Sequence, residues 1–456
     1  MFEANEIVEQ DFRAFEEACR AAAFFPAGTT VHIARAPGRL DVMGGIADYS
    51  GSVVAEMPIA DATLVGVVLG GTEDNTVIVR SANATLEGFT EEVVLPQEVF
   101  TNPVSLLKHL REAPNRERWA GYVAGCLAIL RAEGLAPKGV GGRFFVRSEV
   151  PVGAGVSSSA AIEVATMQAL CVALNTPLDG LTLARYCQQV ENDVMDAPCG
   201  IMDQVTSTLG EAGKFLLLLC QPYTVQGTVT LPEGWTVFGL DSGVKHSVGG
   251  NAYTQVRVAA FMGYKILTER AKKGFRGYLC NITPNDYIAL THNNPLPESL
   301  RGADFLTVHG GIFDTVTRVV PDAVYPVRAA TEHPIYEMAR VRKFVEQLYL
   351  GDENSLQTAG QQMYGSHESY SACGLGSAET DLLVSLAKAQ RGVVGAKITG
   401  GGSGGTVCIL CSSAHEEAIR ETVATAYQEQ TGITPRLIRG TSPGAMATEP
   451  RILLSD

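Results

Sequence analysis

Long apolar runs are missing from this chain of 456 residues. The longest candidate, 215–220, is short and reads as a buried strand, so no membrane span is expected. Cations are also scarce: 35 Lys and Arg stand against 49 Asp and Glu, a net charge of -14. An extended basic surface for nucleic acid is therefore not expected, and an anionic substrate must be held by local cations, backbone amides or a metal. The ten cysteines are scattered, as in a reduced cytosolic enzyme and unlike a small disulfide scaffold. Cys408 and Cys411 form a lone Cys-x-x-Cys, but Thr-Val-Cys-Ile-Leu-Cys reads as an apolar strand. The eight histidines lack metal-ligand spacing. Neither a cationic n-region nor an apolar h-region opens the chain, so a cytoplasmic protein is expected. No obligatory protein partner is evident.

What is present is an ordinary globular composition, 46% hydrophobic and 18% charged, long enough for two or three domains. One face of a first helix carries Val8, Phe12, Phe15 and Cys19. Strands are predicted from about Val31, over 62–69, 76–80, 142–150, 215–220 and 236–240. Helices are predicted over 118–133, 158–174, 181–193, 201–209 and from Tyr253 to about Lys272. Residues 280–335 are the least periodic part and read as an insertion or a loop-rich subdomain. After it come helices over 335–350 and 380–390, strands over 393–398 and 406–411, a helix over 415–430 and a strand over 435–438. That order suits helices packed on an antiparallel sheet.

Four segments carry chemistry. The first, 36–51, holds only three formal charges, Arg39, Asp41 and Asp48, among glycines and small apolar residues. Gly38, Gly44, Gly45 and Gly51 allow sharp turns or close approach to a ligand, so the segment reads as the wall of a site. The second, 151–161, places Gly153 and Gly155 before Ser157, Ser158 and Ser159, between a strand and a helix. A glycine cradle followed by free helix-start amides favours phosphate. It is not a Walker A sequence, and alone it is equally a strand-to-helix turn with serine caps. In the third, 191–204, Glu191 sits beside the apolar face of one helix. Asp203 lies in the first turn of the next, where the dipole favours a carboxylate. The fourth, 397–406, has five glycines in six positions, including Gly400, Gly401 and Gly402. Close packing on a ligand or another glycine loop explains this better than flexibility.

Together these segments resemble the GHMP kinase superfamily, whose three motifs occur here in order at 36–51, 151–161 and 397–405. Cys199-Gly-Ile-Met-Asp-Gln204 resembles the catalytic segment of the galactokinase branch. The resemblance implies an α+β fold of two domains with the site between them. It places a ribosomal-protein-S5-like domain over 1–212, and a ferredoxin-like domain over 213–456 that carries the insertion near 280–330. It further implies catalytic roles for Asp203 and Arg39, and sugar contacts from Asp48, Gly200 and Tyr253. Gly153, Gly155 and Ser157–Ser159 are implied to bind ATP phosphate, with Mg²⁺ held by Ser159 and Glu191.

Galactokinases carry Gly-Glu-His-Thr-Asp-Tyr in the first motif, their Glu-His pair lying near the sugar's 6-hydroxyl. Here the stretch is Gly44-Gly-Ile-Ala-Asp-Tyr49, so Gly45 and Ile46 replace that pair. An unpaired buried hydroxyl costs about 1–3 kcal/mol, which favours a galactose-shaped sugar without the hydroxymethyl group, such as L-arabinopyranose. Residues 39–51, 241–250, 371–377 and 397–407 resemble plant-type L-arabinokinases. Their extra N-terminal glycosyltransferase-like region has no counterpart here, so a free-standing kinase is expected. Expected, then, is transfer of the ATP γ-phosphoryl group to the anomeric hydroxyl of L-arabinose. Galactokinase activity and a non-catalytic sugar and ATP sensor are the alternatives.

Overall fold

A computed structural model describes residues 2–244 and 251–455. Two sheets organise the chain. The first uses β1 (Thr30–Met43), β2 (Val53–Leu69), β3 (Val77–Ser81), β4 (Glu92–Leu95), β5 (Gly142–Ser148), β6 (Lys214–Leu219) and β7 (Thr224–Thr230), and is completed by a strand from the end of the chain. The second uses β8 (Trp235–Asp241), then, beyond the small ladder of β9 (Leu300–Arg301) and β10 (Val324–Tyr325), β11 (Val393–Ile398), β12 (Thr406–Ser412) and β13 (Arg436–Ile438). The last strand, β14 (Arg451–Leu454), returns to pair with β1.

The first sheet runs β14-β1-β2-β5-β3-β4, and β3 and β5 form its parallel pair. The β2 strand is long enough to pair with β5 at one end and with β6 at the other, through Val53–Glu56. For that reason the first sheet extends past the boundary expected at 212, recruiting β6 and β7, while β14 joins it separately on β1. The helix Ser158–Ala173 packs across β1 and β2. The second sheet runs β11-β12-β8-β13, entirely antiparallel, with the helix Glu416–Thr431 leading from β12 to β13. This is the strand order of a ferredoxin-like unit.

Alternation along β12 ties the layers together. Cys408 and Leu410 face the core shared with β1 and β2, whereas Val407, Ile409 and Cys411 face the core under the helices Ala378–Lys388 and Glu416–Thr431. Side chains three apart on a strand point to opposite faces. The Cys-x-x-Cys sulfurs therefore belong to different cores, and both are free thiols.

As expected, the strand from about Val31 leads into the first motif; β1 continues to Met43, with a register break at Gly38. A Cβ there would lie 2.6 Å from the Val156 carbonyl oxygen, so the glycine fits the strand to the second motif. Several elements differ from expectation. The 280–330 stretch carries the helices Pro284–Thr291 and Gly302–His309 besides the β9–β10 ladder. The next helix begins at Val327, not 335, and contains Pro334. A further helix, Glu353–Ala372, was not foreseen; its Gly360 packs on Gly395 of β11.

Candidate active site

One side of the candidate site is built by backbone. Gly153 (φ +76°) and Gly155 (φ +73°) turn the chain between β5 and the helix that begins at Ser158. Ser157 stands at the N-cap in the left-handed region (φ 61°), yet its side chain makes no capping hydrogen bond, and its buried hydroxyl has no partner. This removes the serine-cap reading. The helix-start amides are left for an anion, which the helix dipole also favours. The Ser159 hydroxyl, in the first turn, favours the charged form of Glu191, which lies in a π-helical stretch, Val190–Val194, following Gly180–Gln189. Such bulges occur often at functional sites. Burial raises the Glu191 carboxyl to about 7, the Ser159 hydroxyl opposing and the Asp203 charge adding to the rise.

Next to this loop stands Arg39, 2% exposed. Its Nε and Nη2 both donate to Asp203 Oδ1, at 3.0 and 2.8 Å, and its Nη1 donates to the Gly155 carbonyl at 2.7 Å. Behind it, Glu56 Oε2 lies 3.1 Å from Nε. Burial opposes the arginine's charge, but Asp203, Glu56 and Asp41 outweigh it and hold the guanidinium firmly protonated. Asp203 opens the helix Met202–Leu209, and its side chain keeps 26% exposure. A carboxylate is thus fixed against a buried cation, one face open, beside an anion cradle.

A second wall of the candidate site lies beside Asp203. Asp48 is buried, its Oδ1 is unpartnered, and Gly200 packs on it so closely that a Cβ would fall 1.6 Å from Oδ2. Burial and the nearby Asp203 charge raise the Asp48 carboxyl to about 6, a Tyr49 backbone hydrogen bond and Arg257 opposing. Tyr253 is half-buried edge-on to Tyr49, ring centroids 5.9 Å apart. Gly45 and Ile46 are both buried. A Cβ on Gly45 would stand 1.9 Å from Asp41 Oδ2 and 1.9 Å from the Tyr370 hydroxyl, so no side chain fits. Ile46 holds φ +50°, which costs a β-branched residue about 1–2 kcal/mol. Polar groups one turn apart on the helix Val327–Leu350 fix this turn from behind: His333 Nε2 lies 2.9 Å from the Gly45 carbonyl, and Glu337 accepts from Gly44 N–H at 3.1 Å.

Asp41, given no chemistry by the sequence, is the hub joining the first and third motifs. Its Oδ2 lies 3.3 Å from Lys397 Nζ, 3.2 Å from the Tyr370 hydroxyl and 3.2 Å from the Gly400 amide. Asp41 and Lys397 are both fully buried. The glycine loop that follows packs on the phosphate loop: a Cβ on Gly400 would lie 2.5 Å from the Gly155 carbonyl oxygen, and one on Gly405 2.7 Å from that of Ala154. Gly402 packs likewise on Leu375, while Gly401 is half-buried. Of the 241–250 segment, 245–250 lie outside the described residues.

The structure thus brings Arg39, Asp203, Gly155 and Glu56 into direct contact, sets Ser159 beside Glu191, and packs Gly200 on Asp48. It adds Glu56, Lys397, Tyr370, His333, Arg257 and Asp314, which sequence reasoning did not single out. Lys397 alone had a signal, a lysine inside an apolar strand at the head of a glycine run. Among the described residues, no three His, Cys, Asp or Glu side chains are grouped to hold a metal by themselves.

Residues 121–211 match the model for the GHMP kinases N terminal domain, and 344–429 that for GHMP kinases C terminal. An L-arabinokinase of Arabidopsis thaliana is 37% identical over 91% of this chain, which spans 46% of that protein's length. A galactokinase of Chloroflexus aurantiacus is 30% identical over 88% of this chain and 89% of its own. Among solved structures, Lactococcus lactis galactokinase complexed with galactose superposes with TM-score 0.76 at 22% identity, covering 95% of this chain and 98% of that one. Methanococcus jannaschii mevalonate kinase gives 0.54 at 16%, covering 91% and 98%. With the ordered motifs and both domain types present, the chain belongs to the GHMP kinase family.

Proposed function

We propose that this chain is an ATP-dependent sugar 1-kinase that converts L-arabinose and ATP into L-arabinose 1-phosphate and ADP. The observation that carries the reading is the Arg39–Asp203 pair, one carboxylate face open, between an uncapped glycine cradle and the buried Asp48. In the reaction the anomeric oxygen forms a bond to the γ-phosphorus, the bond from that phosphorus to the ADP oxygen breaks, and the hydroxyl proton is released to solvent water. Asp203 accepts the hydroxyl's hydrogen bond and orients it. Arg39 stabilises the charge on the transferring group. Little covalent work falls to the protein in a loose transfer, so positioning and electrostatics supply most of the effect.

Mg²⁺ fits the donor set: the Ser159 hydroxyl and the buried Glu191 carboxylate are hard oxygen ligands on the phosphate side, and nucleotide oxygens and water would complete the shell. When bound, the ion neutralises charge on the nucleotide phosphates. The sugar assignment is supported by the Arabidopsis L-arabinokinase and by the Gly45–Ile46 turn, which offers no side-chain polar group where a hydroxymethyl would need one. Sugar-dependent ADP release with Mg-ATP tests the reaction. Release by the wild type and its loss in Asp203→Asn are expected; a wild type that binds sugar and nucleotide without turnover would instead be a sensor.

A further inference from the structure

Residues 280–330 have no part in the reaction as drawn so far, yet one of their side chains reaches the site through a buried chain of polar contacts. Arg257 lies one helical turn beyond Tyr253 on the helix Asn251–Ala271. Its Nη1 donates to the Cys199 carbonyl at 3.1 Å. The other edge of the guanidinium meets Asp314 as a two-pronged pair, Nε to Oδ2 at 2.8 Å and Nη2 to Oδ1 at 3.0 Å. Both side chains are about 95% buried, with exposures of 6% and 5%. Asp314 is itself fixed, accepting from the Val316 and Thr317 amides at 3.2 Å each and from the Thr317 hydroxyl at 2.6 Å. The Tyr49 ring lies under the guanidinium, 5.2 Å from its centroid.

We propose that Arg257 and Asp314 are positioning residues, a clamp by which the insertion holds the Cys199–Gly200 turn and so sets the sugar-side wall of the site. The clamped carbonyl immediately precedes Gly200, which packs on Asp48, and stands four residues before Asp203. A free arginine could satisfy the Cys199 carbonyl in many rotamers. The planar fork of Asp314 allows one, and a buried two-pronged pair gives that orientation geometric specificity. Neither residue touches the phosphate loop, so the effect should fall on the sugar and spare the nucleotide.

The inference rests on the proposed sugar-kinase reading for its kinetic consequence, but its structural claim is tested separately. Hydrogen exchange of the peptide spanning 197–204 is compared with that of the phosphate loop, 153–159, in the wild type, Asp314→Ala, Asp314→Asn and the milder Thr317→Val. Expected is faster exchange in 197–204 alone, greatest in Asp314→Ala and smallest in Thr317→Val. Displacement of a positioning group by a fraction of an ångström should then raise the sugar KM about ten- to a hundredfold, while the Mg-ATP KM stays within about twofold. Unchanged exchange in 197–204 in folded Asp314→Ala overturns the clamp, whatever sugar the enzyme uses. Equal losses for sugar and nucleotide overturn it too, as a general structural defect. Faster 197–204 exchange in Asp314→Ala, together with a wild type that phosphorylates no sugar, would refute the kinase reading and leave the clamp standing.

Discussion

Asp48→Asn should make this protein more stable and less able to bind sugar, and the stability gain should depend on pH. Asp48 is 4% exposed with an unpartnered carboxyl oxygen, and burial plus the Asp203 charge lift it from 3.8 to about 6. The folded state thus holds the proton more tightly than the unfolded state. Below pH 3.8 both states carry a neutral group and there is no penalty. Between 3.8 and about 6 stability falls as pH rises, and above that the loss is constant at about 3 kcal/mol. An amide carries no charge, so the substitution removes that loss, which exists only where the unfolded chain would ionise Asp48. The assay is the difference in melting temperature between Asp48→Asn and wild type at pH 5.0 and pH 7.5. Acids that do not interact with Asp48 cancel from that difference. A larger gain at pH 7.5, with sugar affinity reduced, is expected. An equal or smaller gain at pH 7.5 would refute the argument that a buried charge is kept at this point for function.

Other substitutions follow from the same geometry. Arg39→Lys replaces a fork that donates twice to Asp203 and once to Gly155 with a single ammonium; kcat should fall by about two to four orders of magnitude while the protein stays folded, checked by steady-state kinetics and circular dichroism. Gly45→Ala forces a methyl into Asp41 and Tyr370 and should cost about 1–3 kcal/mol, read from denaturant unfolding. Lys397→Met strands a buried carboxylate and should cost about 3–5 kcal/mol, whereas adding Asp41→Asn should recover part of the loss in a double-mutant cycle. Glu191→Gln should raise the Mg²⁺ concentration for half-maximal rate, measured at fixed ATP, with little effect on sugar affinity in the absence of nucleotide.

The sequence made the site's chemistry legible where backbone requirements are written as glycines. Gly155, Gly400 and Gly405 recur because two loops touch through their main chains, which no side chain would permit. Asp203 was legible from its place in a first helical turn. At 36–43 the glycines did not reveal that a strand continues, in which Gly38 serves the fit to Val156. Ser157 read equally as a cap, and only its idle hydroxyl decides the matter. The helix Glu353–Ala372 escaped notice because its Ser, Gln, Gly and His residues show no apolar period, yet it delivers Tyr370 to Asp41. Asp314 carried no signal at all. Its importance comes from a pairing across 57 positions that neither spacing nor composition encodes.

The most direct test of the central claim is kcat/KM for L-arabinose against D-galactose, measured with the same Mg-ATP preparation. The Gly45–Ile46 turn, closed to a side chain at Gly45 by Asp41 and Tyr370, apolar at Ile46 and backed by His333 and Glu337, predicts a preference for L-arabinose. A preference for D-galactose would contradict it, and would mean that the hydroxymethyl group finds a polar partner elsewhere in the site.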